Sequence, residues 1–226
     1  MDGAVWVLIG AILFVGSHFL MSHPLRAGLV ERWGEGPFLI LYSLVSVLTF
    51  GLLFAAFWLA PATAPWWPVG DVLWALVTAV MLVASILFVG AFMGGNPAFP
   101  NPTARDRAAP EPRGAFRITR HPMLWGIGLW GLCHMIIMPT TANIVFAGAM
   151  AFLALVGAAL QDRKKAKLQP QLWGEWSRRT SYWPFTRGVV WPGWAPLLVG
   201  LVLWLAATWA HMPLAGWPAG IWRWIA

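Results

Sequence analysis

The chain has 226 residues, 59% of them hydrophobic and only 10% charged, with 15 Lys and Arg against 8 Asp and Glu. A water-soluble domain carries about 25% charged residues, so a soluble globular fold is excluded and, at this length, one domain is expected. The net charge of +7 fits membrane topology and contact with anionic headgroups, which leaves no basic face for nucleic acid.

Six apolar runs follow one another. Residues 5–21 carry no formal charge, and His18 is their only ionisable side chain. Asp2 alone precedes them, whereas a cleaved signal begins with positive residues, so the run reads as a retained membrane helix. Residues 38–60 and 72–93 form the second and third runs. Residues 122–138, with His134, and 142–160 form the fourth and fifth. Only Pro139, Thr140 and Thr141 separate these two, which predicts a helical hairpin. Residues 195–210 form the sixth and shortest run. A hydrocarbon core of ~30 Å needs ~20 apolar residues in a helix. The runs lack the alternation of barrel strands, and a helix satisfies every backbone group within itself. The expectation is an all-α polytopic bundle of about six transmembrane helices in one membrane domain over residues 1–226.

The cations alternate with the runs. Arg26 and Arg32 follow the first run. Arg105, Arg107, Arg113, Arg117 and Arg120 lie between the third and fourth. Arg163, Lys164, Lys165, Lys167, Arg178, Arg179 and Arg187 lie between the fifth and sixth. Only Arg223, in the tail, departs from the pattern. The positive-inside rule then makes these three connections cytoplasmic and puts both termini outside. Trp66, Trp67, Trp191, Trp194, Trp217, Trp222 and Trp224 stand at run ends, as an interfacial belt requires. Cys133 is the only cysteine, so no intrachain disulfide can form.

Two cytoplasmic stretches stand out. Residues 94–119 are rich in Pro and Gly, and loops of that length without their own structure are functional or disordered. Residues 161–187 are basic, with Trp173, Trp176, Tyr182 and Trp183 interleaved. They read either as an amphipathic segment on the membrane surface or as a cover over a site.

No Asp, Glu, Lys or Arg falls inside the runs, which argues against ion-coupled transport. Two histidines do. A neutral imidazole in lipid needs a partner. His18 and His134 are either bonded to neighbouring helices or, on two different helices, hold a haem or metal. Gly131 and Gly128, one and two turns before His134, would admit a flat macrocycle or a packed helix. At the start of the fourth run, Arg120 and His121 precede Pro122, which suits a first helical turn. Its free N–H groups would receive a phosphate, a carboxylate or a haem propionate. Counting from Arg26 and Arg120, His18 and His134 differ in depth by ~9 Å at 1.5 Å per residue, so ligating one iron would require a tilted or broken helix, or a loop that dips inward before Pro122, to close that gap.

These residues carry a resemblance. Phe14-Val15-Gly16-Ser17-His18, Pro24-Leu25-Arg26, Gly34-Glu35-Gly36 and Leu41-Tyr42-Ser43-Leu44-Val45-Ser46 resemble the opening of the NnrU family. Gly114-Ala115-Phe116-Arg117-Ile118-Thr119-Arg120-His121-Pro122, then Gly126, Leu129-Trp130 and His134, resemble its central motif. Leu155, Gly157 and Gln161-Asp162 resemble its third block. The likeness covers residues of about 10–187, and the tail after Trp191, with a further membrane helix over 195–211, contributes little.

The family includes 15-cis-zeta-carotene isomerases and bacterial proteins linked to nitric-oxide and nitrite metabolism in denitrification. The resemblance implies a multi-pass protein of the bacterial inner membrane that binds haem b. Its iron ligands would be His18 and His134, with Arg117, Arg120 and His121 at the propionates or the entrance. It implies cis–trans isomerisation of a lipophilic polyene such as a carotenoid. The plant enzymes carry a cysteine three residues before the second histidine, where this chain has Gly131, so cysteine-dependent redox behaviour does not carry over. Arg120-His121-Pro122, with Tyr182 and Pro184 downstream, is also similar to the isoprenylcysteine carboxyl methyltransferases, which use S-adenosylmethionine. Gln161-Asp162 stands where those enzymes have a Glu-Glu pair. The remaining reading is a non-enzymatic haem-containing subunit or sensor, linked to nitric-oxide metabolism and bound to a membrane partner.

Overall fold

The computed structural model describes residues 3–98 and 109–226. Asp2, Arg105 and Arg107, and with the last two the middle of the Pro- and Gly-rich stretch, lie outside the described residues. Among the described residues the secondary structure is entirely helical: α1 (Gly3–Ser22), α2 (Arg26–Trp33), α3 (Glu35–Trp58), α4 (Asp71–Gly90), α5 (Pro122–Ile137), α6 (Thr141–Leu168), α7 (Pro170–Arg179), α8 (Trp194–Ala215) and α9 (Trp222–Ile225), with a 3-10 turn at Gly114–Arg117. Five of these, α1, α3, α4, α6 and α8, are long and apolar enough to cross a bilayer, and α5 is a shorter apolar helix. The fold is a polytopic membrane bundle. The sixth span, expected over 195–210, runs on as a helix to Ala215 through Pro213. A proline is tolerated near a membrane helix end, where local adjustments satisfy the freed carbonyl.

The chain divides into two compact units. The first holds residues up to Pro68 together with His134–Leu153. In it, Val7, Gly10, Ala11 and Phe14 of α1 recur at helical spacing and are all buried, while Ile12 is 62% exposed and looks to lipid. Gly10 packs directly on α3, since a Cβ there would lie 2.8 Å from Leu53 Cα. Small residues at such contacts let two backbones approach, and dispersion then holds them together without any hydrophobic drive. Aromatic rings fill the rest. Phe57 stacks on Phe146 at 4.6 Å, and Phe50 reaches both Phe14 at 5.5 Å and Phe146 at 6.4 Å. Where α2 turns into α3, Gly34 has φ 85°, a conformation glycine adopts without cost, and the Arg26–Glu35 ion pair (2.6 Å) spans the corner.

The second unit holds Val69–Cys133 and Ala154–Ala226. There α4 packs on α8 at Gly200, whose Cβ would lie 2.7 Å from Ile86 Cα. At its cytoplasmic end, as the sequence reads it, Phe116, Leu172, Trp173 and Trp176 form a core with Ala98 and Ala109. This corrects the surface-segment reading of residues 161–187. The α6 helix continues to Leu168, and α7 turns its tryptophans into protein, with Trp173 and Trp176 no more than 2% exposed. The 94–119 stretch likewise has structure of its own near its end, where the 3-10 turn buries Ala115 and Phe116. Arg223, the one cation out of pattern, is paired. Its Nη2 is 2.9 Å from Asp71 Oδ1, and its guanidinium lies 4.9 Å from the Trp74 ring centre.

Candidate functional site

His18 sits in the first unit, near the end of α1 and half-buried. Its Nδ1 is 2.9 Å from the carbonyl oxygen of Phe14. A carbonyl can only accept, so Nδ1 carries the proton and donates, and Nε2 is left with its lone pair. The ring is held edge-on by Phe14 at 4.5 Å and by Tyr42 of α3 at 5.4 Å. A fixed tautomer with a locked ring is the arrangement found behind metal-ligating histidines. His211 makes the same bond to Ala207 at 2.8 Å at the exposed end of α8, so the bond is a helical habit, and the aromatic clamp is what distinguishes His18.

His134 lies one turn before the end of α5 and is half-buried. Its backbone oxygen accepts from Asn143 Nδ2 at 2.8 Å, and the same amide nitrogen donates to Met138 O at 2.8 Å. The hairpin expected between the fourth and fifth runs is therefore closed by a buried amide. The loop before α4 adds to it: Trp66 N donates to Pro139 O at 2.8 Å, and Trp67 Nε1 donates to Ile136 O at 3.1 Å.

Both histidines belong to the first unit, and the contacts along α6 give their levels. Phe19, next to His18, meets Phe152 at 6.1 Å, whereas His134 is level with Asn143. The offset is about 12 Å at 1.5 Å per residue, of the same order as the sequence count. An offset of this size sets the two imidazoles at different depths and works against both reaching one group. Among the described residues no three His, Cys, Asp or Glu side chains group closely enough to hold a bare metal ion. A haem, which brings four nitrogens of its own, needs only two.

The second unit holds the other residues singled out by sequence. Arg120 grips Asp162 of α6 with its fork: Nε lies 2.9 Å from Oδ1 and 3.0 Å from Oδ2, and Nη2 donates to Oδ2. His121 Nε2 is 2.7 Å from Asp162 Oδ1. The Arg120 guanidinium lies 5.3 Å from the Tyr182 ring centre. The anion expected beside Arg120 and His121 is thus supplied by the chain itself. Burial alone would raise the Asp162 pKa, but the hydrogen bonds from His121 and Arg120 outweigh it and hold the carboxyl down to about 2. Burial, reinforced by Asp162, raises the Tyr182 phenol. The backbone is stitched at the same place. Arg120 N donates to Ser181 O at 2.8 Å, and Thr119 Oγ1 and Trp125 Nε1 both donate to Tyr182 O, at 2.7 and 2.9 Å. His121 is 3% exposed, and its Nδ1 has no hydrogen-bond partner among the described residues. Arg117 is exposed on the 3-10 turn and is not part of this knot.

Two glycines of α5, Gly126 and Gly128, sit at tight helix contacts. A Cβ on Gly126 would lie 2.8 Å from Ala84 O of α4, and one on Gly128 would lie 2.6 Å from the Leu155 side chain of α6. Three residues escaped the sequence reading: Asn143, Tyr42, and Asp162 as the partner of Arg120 and His121. Tyr42 and Asp162 stood in the motifs that carry the family resemblance, but nothing in the sequence placed them beside His18 or His121. Compared with known proteins, residues 6–219 match the family model described as NnrU protein. The match runs past residue 187 and takes in the last span, which the sequence reading had left outside. No curated protein and no solved structure matches the chain.

Proposed function

The chain belongs to the NnrU family, and we propose on that premise that it is a haem b-binding integral membrane enzyme that isomerises a lipophilic polyene, such as a carotenoid, between cis and trans forms. The observation that supports this reading most is the His18 ring. Its Nδ1–H is spent on Phe14 O, and its Nε2 lone pair is left for a metal within a wall of aromatic rings. His134, in the same unit, supplies the second nitrogen. The donor chemistry therefore fits a haem. The bound group would supply iron able to interact with the conjugated chain; the protein supplies ligands, orientation and a dry apolar setting. Phe14, Phe50, Phe54, Phe57 and Phe146, linked by ring contacts of 4.6 to 6.4 Å, make the same unit strongly aromatic, a surface compatible with a lipophilic polyene.

The Arg120–His121–Asp162 knot closes on itself, so a structural role is assigned to it here in preference to cofactor binding. The cationic connections face the cytoplasm in this reading, and both termini face the opposite side of a bacterial inner membrane. The test is the absorption spectrum of detergent-purified protein, oxidised and then reduced with dithionite. A Soret band with sharp reduced α and β bands is expected, and it is lost in His18→Ala and His134→Ala while both variants still insert. Both variants retaining full haem would sink the assignment. With haem in hand, conversion of a cis polyene to its trans form, followed by chromatography, tests the reaction.

A further inference from the structure

We infer that Asn143 and Trp67 are positioning residues for His134, fixing the last turn of α5 so that its imidazole is presented at one depth and one rotation. The inference rests on the haem reading of the first unit and adds the residues that make its second ligand rigid.

A helix end leaves its last four carbonyls without intrahelical donors. In α5 those carbonyls belong to the very turn that carries His134, and in a membrane they cannot turn to water. His134 O already accepts from Met138 N at 3.1 Å and Met138 O from Thr140 N at 2.8 Å, and the structure adds further donors to this turn from outside the helix. Asn143 is 3% exposed, and its side chain donates to His134 O and Met138 O, each at 2.8 Å. Both acceptors are carbonyls, so the donating atom is the amide nitrogen. Trp67 donates to Ile136 O at 3.1 Å. Trp66 fastens the loop by donating through N to Pro139 O at 2.8 Å and through Nε1 to Thr141 Oγ1 at 3.1 Å. Donors therefore reach residues 134, 136, 138 and 139 from two other segments. For His18, the ring itself is tied down by its own helix. For His134, the backbone beneath the ring is tied down by its neighbours. Partners that hydrogen-bond a ligating ring directly matter by about 10–100-fold in affinity, and a bond to the backbone beneath the ring is expected at the low end of that range.

The experiment uses the full chain in detergent, loaded with haem b, and reads the ferric electron paramagnetic resonance spectrum and the haem dissociation constant. Asn143→Leu keeps the branched shape and removes the donor. It is expected to convert part of the low-spin bis-histidine signal to high-spin and to weaken haem binding about 10-fold. Asn143→Gln, which keeps an amide, is expected to restore most of the low-spin signal. Trp67→Phe is expected to move both readouts the same way by a smaller amount. Wild-type spectra and affinity in both Asn143→Leu and Trp67→Phe would overturn the inference and leave the haem reading standing. A wild-type protein that takes up no haem would overturn the haem reading first, before any variant is made. If Asn143→Leu fails to insert, Trp67→Phe decides, because that side chain is 39% exposed and carries little of the packing.

Discussion

His18 in the first unit and His121 in the second are each ringed by aromatics, and each spends one nitrogen on the chain. The partners differ. His18 gives its proton to a neutral carbonyl one turn back on its own helix. His121 reaches a carboxylate that also binds Arg120, so the start of α5 is tied to α6 through Asp162, and Arg120 in turn lies over the Tyr182 ring. A tie within one helix sets a ring without constraining the fold. A tie through a shared anion constrains the fold and leaves the ring nothing to offer through that nitrogen. The tie on His18 lies within one helix, whereas the tie on His121 joins separate segments of the second unit.

The strongest way to break this comparison is Asp162→Ala. It leaves Arg120, 14% exposed at its side chain, and His121 facing no anion, and removing one partner of such a pair costs about 3 kcal/mol. Thermal unfolding followed by circular dichroism should show that loss, while any haem spectrum of the first unit stays unchanged. The loss is also pH-dependent. The folded Asp162 pKa, about 2, lies below its unfolded value, so its contribution is full above that unfolded value and fades as pH falls towards 2. The gap between wild type and Asp162→Ala should close on that descent. A gap independent of pH would show that packing, not charge, is lost.

Glycine variants of α5 sharpen the picture with a middle-sized effect. Gly126→Ala meets backbone that cannot give way, Ala84 O at 2.8 Å, and should cost about 2 kcal/mol by overpacking. Gly128→Ala meets only the tip of Leu155 and should cost less in the same unfolding assay. The smallest effect is expected from Arg223→Gln. Its partner Asp71 is 76% exposed at the side chain, and exposed pairs contribute less than about 1 kcal/mol.

Hydropathy made the spans legible. The ends of α1, α4, α5 and the start of α8 fall within three residues of the runs read from sequence. The end of α8 was missed because His211 and Pro213 interrupt the apolar run without interrupting the helix. The α2 helix was missed because it carries Arg26, Glu31 and Arg32 and so has no apolar run to betray it. For α7 the pattern of Leu172, Trp173 and Trp176 is the same whether the covering partner is lipid or protein, so periodicity could not choose. At the candidate site the single residues His18, His134, Arg120 and His121 were visible, but their partners were not. Asp162 lies 41 residues from His121, and no local spacing encodes a contact at that separation. Asn143 is a lone polar residue in a long apolar run, a signal that reads equally well as a loop edge.

The Arg223–Asp71 pair also counts membrane crossings. Asp71 heads α4 and Arg223 follows α8, yet the two side chains touch. A chain that leaves one side of a bilayer and returns to it must cross an even number of times. Between these residues α4, α6 and α8 are each long enough to cross, which is an odd number, so α5 must cross too. Its 16 residues span only ~24 Å, short of the ~30 Å core, and length alone would have left it undecided. The Arg120–Asp162 pair, separated by α5 and α6, and the Trp66–Pro139 bond, separated by α4 and α5, obey the same parity. Deleting α5 while keeping the other spans would put Arg223 and Asp71 on opposite faces, where no rearrangement of side chains could reunite them.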